Sequence, residues 1–202
     1  PSHDTFGEVF RVLDAQVFES CFRQWIASVV GVVEGVVAFD GKTVRGSKDG
    51  PNTALHMVSA YATELGVSLG QEGSVGKGNE LAAIKALLET LVLKGCIVTL
   101  DALGCQTEVA ERIVAQGGDY VLAVKGNQPS LHAEVIEYFE ARGEGHVLES
   151  FETHDEDHGR DEVRRAWVSN SVLEVGTSDR WKSLAKLIRV DSTRTVNGKQ
   201  SH

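Results

Sequence analysis

Two aspartates that each end an apolar run are the residues of this sequence best suited to chemistry. Asp40 ends the run 36–39 and is followed at once by a glycine, and Asp101 ends the run 96–100. Runs of this kind, rich in β-branched residues, predict buried strands, so each carboxylate would lie at a strand end. If the two strands are neighbours in one sheet, both carboxylates can face one cation. Hard oxygen ligands suit Mg²⁺ or Mn²⁺.

The same two residues have an ordinary structural interpretation. Aspartate at a strand end is common as a turn former or as the N-cap of a helix, and Asp40 or Asp101 taken alone fits that use. The pair is better evidence for a metal site than either member, because both residues end the same kind of strand.

The composition is that of a globular protein without a general affinity for nucleic acid. The chain has 202 residues, of which 42% are hydrophobic, and its net charge is −9 with a pI near 5.3. That length supports a sizeable core, whereas the negative charge gives no overall electrostatic footprint for nucleic acid. Nucleic-acid binding must therefore be local. The basic residues form two modest groups: Lys42, Arg45 and Lys48, and Arg160, Arg164 and Arg165.

The cysteines and the apolar runs predict a cytoplasmic protein that is not bound to a membrane. The three cysteines have no C-x-x-C spacing, so they indicate neither a disulfide framework nor a zinc ribbon. A reducing compartment fits them best. No run approaches the roughly 20 apolar residues of a transmembrane helix, and the sequence does not open on the pattern of a signal peptide.

The order of predicted elements indicates an α/β fold. Apolar residues spaced by three and four over 6–26 predict one amphipathic helix, or two broken near Asp14, with its aromatic stripe in the core. The elements that follow are strands at 29–44, 54–62, 67–71, 96–100 and 119–124, a helix opening at Asn79 or Glu80, a helix capped by Thr107 and a helix from Pro129. Three antiparallel strands followed by parallel α/β units, β-β-β-α-β-α-β, form the ribonuclease-H-like mixed sheet.

The last part of the chain differs from the rest in its predicted secondary structure. Strands predicted at 147–153, 162–169 and 186–196 are joined by acidic or glycine-containing loops, which indicates a β-rich insertion. The expected organisation is therefore a helical lead-in over 1–30, the end of an associated N-terminal region, then a core over 31–143. The insertion occupies 144–202.

Two further motifs do not support a site. The glycine-rich stretch 73–79 lacks the G-x-x-x-x-G-K-[ST] spacing of a phosphate loop, because Lys77 precedes a glycine. His154 and His158 are four residues apart among acids, but the nearby glycine argues against a helix, and a solvated acidic loop is the better interpretation. Arg164 and Arg165 would lie on opposite faces of a strand, which weakens a phosphate-binding patch there.

Six stretches, taken in order, carry a resemblance to a known family. They are 1–7, 39–47, 76–80, 98–106, 117–128 and 158–160. The set resembles the DDE transposases of bacterial insertion sequences, in particular the H-repeat-associated type. The resemblance runs over nearly the whole chain, and the ordered set is more specific than any of its pieces.

The resemblance implies a metal-dependent enzyme that cuts and rejoins DNA at the ends of an insertion sequence. In that family two aspartates and one glutamate hold a pair of Mg²⁺ or Mn²⁺ ions, and the aspartates correspond to Asp40 and Asp101. Two ions about 3.5–4 Å apart activate a water or a 3′-hydroxyl and stabilise the leaving oxygen. The implied partners are double-stranded terminal inverted repeats and further copies of the protein assembled on them.

The third carboxylate is where the sequence departs from the family. It is expected in a His-Trp-x-Ile-Glu-Asn-like stretch beyond the insertion, and no such stretch occurs before His202. Glu162 lies where the family often has a glutamate and is the remaining candidate, with a surface or strand role as the alternative. The chain is accordingly expected to be a fragment, truncated at both ends, that is inactive alone.

Three basic residues are candidates for phosphate contacts near the two aspartates. Lys42 and Arg45 follow Asp40, and Lys125 ends the strand after that of Asp101. Positioned cations stabilise the charge that develops on a reacting phosphate, although such residues also solvate ordinary loops.

Two other functions remain open. A catalytically incomplete chain could bind DNA or the full-length transposase as an inhibitor or assembly partner, which the missing acid and the negative charge favour. A ribonuclease-H-like nuclease could use the same two aspartates without strand transfer.

Overall fold

The computed structural model describes residues 2–47, 54–75, 79–142, 149–157, 160–196 and 199–201. Lys48, Lys77 and His158, which the sequence singles out, lie outside these residues. The chain divides into two compact units, Pro1–Ala123 and Val124–His202.

A five-stranded mixed sheet forms the centre of the first unit. Its strands, in chain order, are β1 (Gly35–Thr43), β2 (Leu55–Ala62), β3 (Val67–Val75), β4 (Cys96–Leu100) and β5 (Asp119–Leu122). The spatial order is β3-β2-β1-β4-β5. The first three strands are antiparallel to one another, whereas β1, β4 and β5 are parallel. The predicted antiparallel opening followed by parallel strands is confirmed, and β1 lies at the centre where the two halves meet.

Four helices belong to the same unit: α1 (His3–Val12), α2 (Ala15–Val30), α3 (Glu80–Glu89) and α4 (Thr107–Ala115). The amphipathic lead-in is two helices rather than one, because Asp14 caps α2. Its Oδ1 accepts the backbone N–H groups of Gln16 and Val17, which ends the first helix and starts the second.

The boundary between α2 and β1 differs from the prediction. The strand was expected from Val29, but the helix continues to Val30 and the strand starts at Gly35. Gly31 ends the helix with φ of +70°, a conformation that favours glycine. Val30 packs against the core, so tertiary packing overrides the β-propensity of the valine-rich run.

The core lies on one face of the sheet. Val37 and Phe39 of β1 and Val98 and Leu100 of β4 are buried in one cluster with residues of α3 and α4, including Ile84, Leu87, Val109 and Ile113. The intervening residues of both strands face the other way and are more exposed.

The expectation that the aromatic stripe of the first two helices belongs to the core is wrong. α1 buries none of its residues and α2 buries only Ile26. Phe6, Phe10 and Trp25 each expose half or more of their surface. Phe10 packs edge-on against Phe18 and joins the two helices to each other, and of the aromatic residues of the stripe Phe22 packs against the core.

The second unit combines one helix with an antiparallel sheet. The helix is α5 (Pro129–Arg142), and the sheet consists, in both chain and spatial order, of β6 (Glu149–Asp157), β7 (Arg160–Ser169), β8 (Leu187–Val196) and β9 (Lys199–Ser201). The three predicted strands are confirmed. The Tyr138 hydroxyl lies 2.5 Å from Oγ of Ser169, which ties α5 to β7 in a buried contact.

None of the helices in the described ranges has the length and apolar character that a membrane crossing requires.

Candidate active site

Asp40 and Asp101 take corresponding positions when the register of two neighbouring strands is extended. The prediction that both lie at strand ends is wrong for Asp40, which is inside β1 because that strand continues to Thr43 against β2, whereas Asp101 directly follows β4. The parallel register of β1 and β4 runs from Gly35 opposite Cys96 to Ala38 opposite Thr99, and each aspartate comes two residues later. Side chains two residues apart share a face of a strand, so both carboxylates project from the face opposite the core. Both are exposed. Adjacent strands lie about 4.8 Å apart, so this register brings the two aspartates to neighbouring places on the sheet.

A tight turn orients the carboxylate of Asp101. The backbone N–H groups of Leu103 and Gly104 donate to its Oδ1, at 3.0 and 3.4 Å. This is the turn-forming role that aspartate commonly takes at a strand end. Within the described residues Oδ2 accepts no hydrogen bond, so the turn engages only one of the two carboxylate oxygens.

Lys42 is the counter-ion of Asp40. Its Nζ lies 2.9 Å from Oδ2 of Asp40, and both side chains are exposed. The hydrogen bond to Asp40, with the carboxylate charge, raises the pKa of Lys42. One predicted basic residue and one predicted metal ligand are thus brought into direct contact.

On the side of β1 opposite to Asp40 lie two residues that the sequence analysis missed, the histidine His56 and the acid Glu80. Nε2 of His56, on β2, lies 2.8 Å from Oε2 of Glu80 at the start of α3. The two atoms are in contact, but no aligned hydrogen bond joins them. Nδ1 of His56 lies 3.1 Å from the hydroxyl of Thr43. In the sequence, Glu80 was noted only as a possible helix start and as the last residue of 76–80, one of the six stretches that resemble the transposase family, and no role in the site was assigned to it.

The other residues that the sequence predicted for the site are Arg45, Lys125 and Glu162. Arg45 is exposed in the turn after β1. Lys125 and Glu162 belong to the second unit. The Glu162 carboxylate lies 2.8 Å from the Arg164 guanidinium and accepts a hydrogen bond from Ser192 at 3.0 Å.

An exposed cluster of ionisable groups lies on the β6–β7 hairpin. Nε2 of His154 is 2.5 Å from Oδ1 of Asp161 and 3.8 Å from Oε1 of Glu156. The hydrogen bond with Asp161 and the surrounding negative charges raise the pKa of His154. A His–Asp ion pair accounts for this cluster. The residues are exposed, but the loop predicted there is wrong, because residues 154–157 belong to β6 and pair with β7.

Comparison with known proteins places the chain in a family. Residues 6–182 match the family described as Transposase DDE domain. A protein of Xanthobacter autotrophicus, named only for its position in the dhlA 3′ region, is 41% identical over the whole chain, which covers 69% of that protein. "Putative transposase YncI" of Escherichia coli O157:H7 is 41% identical over 93% of the chain and 49% of its own length.

The relatives also include the type suggested by the sequence motifs. "H repeat-associated putative transposase YhhI" of Escherichia coli K12 is 37% identical over 99% of the chain and 54% of its own length. The chain thus spans about half the length of the two Escherichia coli relatives. A solved piggyBac transposase synaptic complex overlaps with 81% of the chain at 12% identity, with a TM-score of 0.41 that is too low to establish a common fold. The family match covers most of the chain, and the protein belongs to the transposase DDE domain family.

Proposed function

We propose that this chain is the catalytic part of a transposase that cleaves and transfers DNA strands at insertion-sequence ends with Mg²⁺ or Mn²⁺. The observation that carries the proposal is the placement of Asp40 and Asp101 at equivalent positions on adjacent parallel strands. The order β3-β2-β1-β4-β5, with only the first three strands antiparallel, supports a ribonuclease-H-like core. Residues 31–143 are assigned to that core, with 1–30 as a helical lead-in and 144–202 as a β-rich insertion.

The donor set suits a divalent ion. Asp40 and Asp101 supply exposed carboxylate oxygens, the kind of ligand that Mg²⁺ and Mn²⁺ prefer. When bound, two such ions supply activation of the attacking hydroxyl and stabilisation of the leaving oxygen. The chain's own contribution is to hold the two carboxylates side by side where β4 ends next to β1. Lys42, Arg45 and Lys125 bind phosphate.

Lys42 has two roles in this proposal. Without a metal it neutralises Asp40, as the 2.9 Å contact indicates. A cation held by that carboxylate would displace the ammonium group, which could then bind a DNA phosphate. The exchange lets one residue serve the metal-free and the DNA-bound protein.

Glu162 is the candidate for the third carboxylate. Its present partners, Arg164 and Ser192, would have to be given up for a metal ion. Glu162→Gln decides the assignment: a loss of Mn²⁺ affinity would place Glu162 in the site, and an unchanged affinity would remove it.

The partners follow from the reaction. Double-stranded terminal inverted repeats are the substrate, and copies of the protein assemble on them so that two ends can be joined. Binding to DNA weakens steeply with salt, because each phosphate contact releases counterions. An affinity that does not change with salt would contradict the contacts assigned to Lys42, Arg45 and Lys125.

Calorimetric titration with Mn²⁺ tests the proposal. The wild type is expected to bind, and Asp40→Asn and Asp101→Asn are each expected to lose most of that binding. Asp119→Asn is a matched control, because Asp119 is also exposed but lies at the opposite end of the parallel strands, where β5 begins. Equal binding by all four proteins, or none by the wild type, would overturn the proposal. A strand-transfer assay with oligonucleotides carrying terminal repeats then separates a transposase from a nuclease that only hydrolyses.

A further inference from the structure

We infer that Glu80, held by His56 and packed against Gly41, positions the strand segment that carries Asp40 and Lys42. This inference rests on the proposed function, because it assigns a purpose to the pair only if Asp40 is a metal ligand. Neither Glu80 nor His56 is proposed to touch metal or DNA. They are positioning residues that act through β1.

The two faces of the β1 segment that contains Asp40 and Lys42 have different surroundings. Asp40 and Lys42 are exposed, whereas Gly41 alternates to the opposite face, where Glu80 at the start of α3 approaches it. His56 pairs directly with Thr43 across β1 and β2, and Glu80 reaches the same place from the first turn of α3. The contacts behind the strand therefore involve the residues that lie between and just after the two functional side chains.

Gly41 permits an unusually close approach of the carboxylate to the strand. A Cβ at this position would lie 1.9 Å from Oε1 of Glu80 and 2.9 Å from Nε2 of His56. No larger residue fits without moving one of them. The glycine thus lets Glu80 contact the backbone of the residue that separates Asp40 from Lys42, so a displacement of Glu80 is transmitted directly to both.

Glu80 is itself anchored. It begins a helix whose residues Ile84, Leu87 and Leu88 are buried in the core, and a carboxylate in the first helical turn is stabilised by the helix dipole. The β1 segment at Gly41 therefore contacts a side chain whose helix, α3, is fixed in the core.

Stability alone is a poor explanation for this pair. The side chains of Glu80 and His56 are only 13% and 7% exposed. Burying two ionisable groups costs desolvation free energy that their attraction often fails to recover, and apolar residues of similar volume would stabilise the fold as well or better. A buried pair behind a metal-ligand strand is better suited to fixing geometry, as residues outside the direct ligands of metal sites commonly do.

The test measures metal affinity and local backbone protection in the same set of proteins. The variants are Glu80→Gln, Glu80→Ala, Gly41→Ala and the double Gly41→Ala/Glu80→Ala. Glu89→Gln is the control, since Glu89 lies at the other end of α3 and its carboxylate pairs with Arg112. Calorimetry gives the Mn²⁺ dissociation constant, hydrogen exchange of residues 39–45 gives the mobility of the strand segment, and thermal unfolding gives global stability.

Glu80→Ala is expected to weaken Mn²⁺ binding roughly 10-fold, the scale seen when partners of metal ligands are removed, and to speed exchange in 39–45. Glu80→Gln, which keeps the shape of the side chain, is expected to restore part of the affinity. Gly41→Ala displaces Glu80, so the double variant should bind no more weakly than the weaker single variant. Non-additivity of that kind is the mark of two residues that act through one contact. Glu89→Gln should leave affinity and local exchange unchanged.

The outcomes separate the inference from the proposed function. If the wild type binds Mn²⁺ through Asp40 while Glu80→Gln and Glu80→Ala bind equally well, the inference is overturned and the proposed function stands. A fall in thermal stability without a change in affinity has the same meaning, and Glu80→Gln supplies the answer if Glu80→Ala does not fold. If the wild type binds no Mn²⁺, the proposed function is overturned and the inference falls with it.

Discussion

The ammonium group of Lys42 lies 2.9 Å from Oδ2 of Asp40, on the same face of the same strand. The closest cation to the first candidate metal ligand is therefore supplied by the chain itself, two residues along. Under the proposed function, a divalent ion that binds Asp40 would have to compete with this lysine, so we expect Lys42 to lower the metal affinity without being a ligand.

Lys42→Gln is expected to bind Mn²⁺ about threefold more tightly than the wild type at low salt, a modest gain because solvent screens exposed ion pairs. The same variant should bind DNA less tightly, since one phosphate contact is lost. Calorimetry and a DNA titration measure the two effects. Lys85→Gln, which removes an ammonium group paired with Glu108 instead, should show neither. Mn²⁺ affinity that is unchanged or lower in Lys42→Gln would contradict the competition.

Gly104→Ala should damage the turn that orients Asp101. A Cβ at position 104 would lie 2.6 Å from the side chain of Leu100, a core residue, and the backbone N–H of Gly104 is one of the two donors to Asp101. Overpacking of this kind costs about 1–3 kcal/mol of unfolding free energy, and we expect weaker Mn²⁺ binding as well. Gly126→Ala, where a Cβ meets nothing within 4 Å, is the control for urea unfolding and calorimetry. A fully stable Gly104→Ala would show that Leu100 can move aside.

The three cysteines should react at very different rates with iodoacetamide at pH 8. Cys21 is exposed, whereas Cys96 and Cys105 are buried. Burial raises the pKa of the Cys105 thiol to about 11, so almost none of it is present as the reactive thiolate. We expect Cys105 to react about 100-fold more slowly than Cys21, as measured by mass spectrometry of labelled peptides. The fast phase should vanish in Cys21→Ser, and its survival there would mean that the buried thiols are accessible.

His154 should titrate above its ordinary pKa of 6.5 because it pairs with Asp161. A raised folded-state pKa stabilises the protein below the unfolded-state value, and the contribution disappears as the pH rises through the folded-state value. The wild type should therefore be more stable than Asp161→Asn at pH 5.5, with the difference shrinking towards pH 8. Proton NMR of the imidazole gives the pKa directly. A pKa that is equal in the two proteins would show that the ion pair does not form in solution.

Much of the first unit was predictable because its signals are local. The apolar runs that precede Asp40 and Asp101 predict β1 and β4, and the order of elements limits how such strands can pair. The start of β1 was missed because the valines around Gly31 fit a helix as well as a strand. Packing of Val30 on the core decided between them.

The support behind the candidate site was not predictable in the same way. Gly41, His56 and Glu80 come from three different elements and meet only after the sheet and α3 have packed. No pattern within a short window records such a contact. The contact of Glu162 with Ser192 was likewise invisible until β7 and β8 were in register, whereas Arg164 lies two residues along β7 itself.

The parallel pairing of β1 with β4 bears on the order in which the protein folds. β1 can pair early with β2, its neighbour in sequence, whereas its contact with β4 closes a much longer loop that contains β2, β3 and α3. Such non-local contacts form late, because the entropy of loop closure is lost before they contribute. Asp101 therefore reaches Asp40 near the end of folding. Under the proposed function, a chain still emerging from the ribosome, with β4 not yet made, would lack one of the two metal ligands, and the site would form only when the sheet is complete.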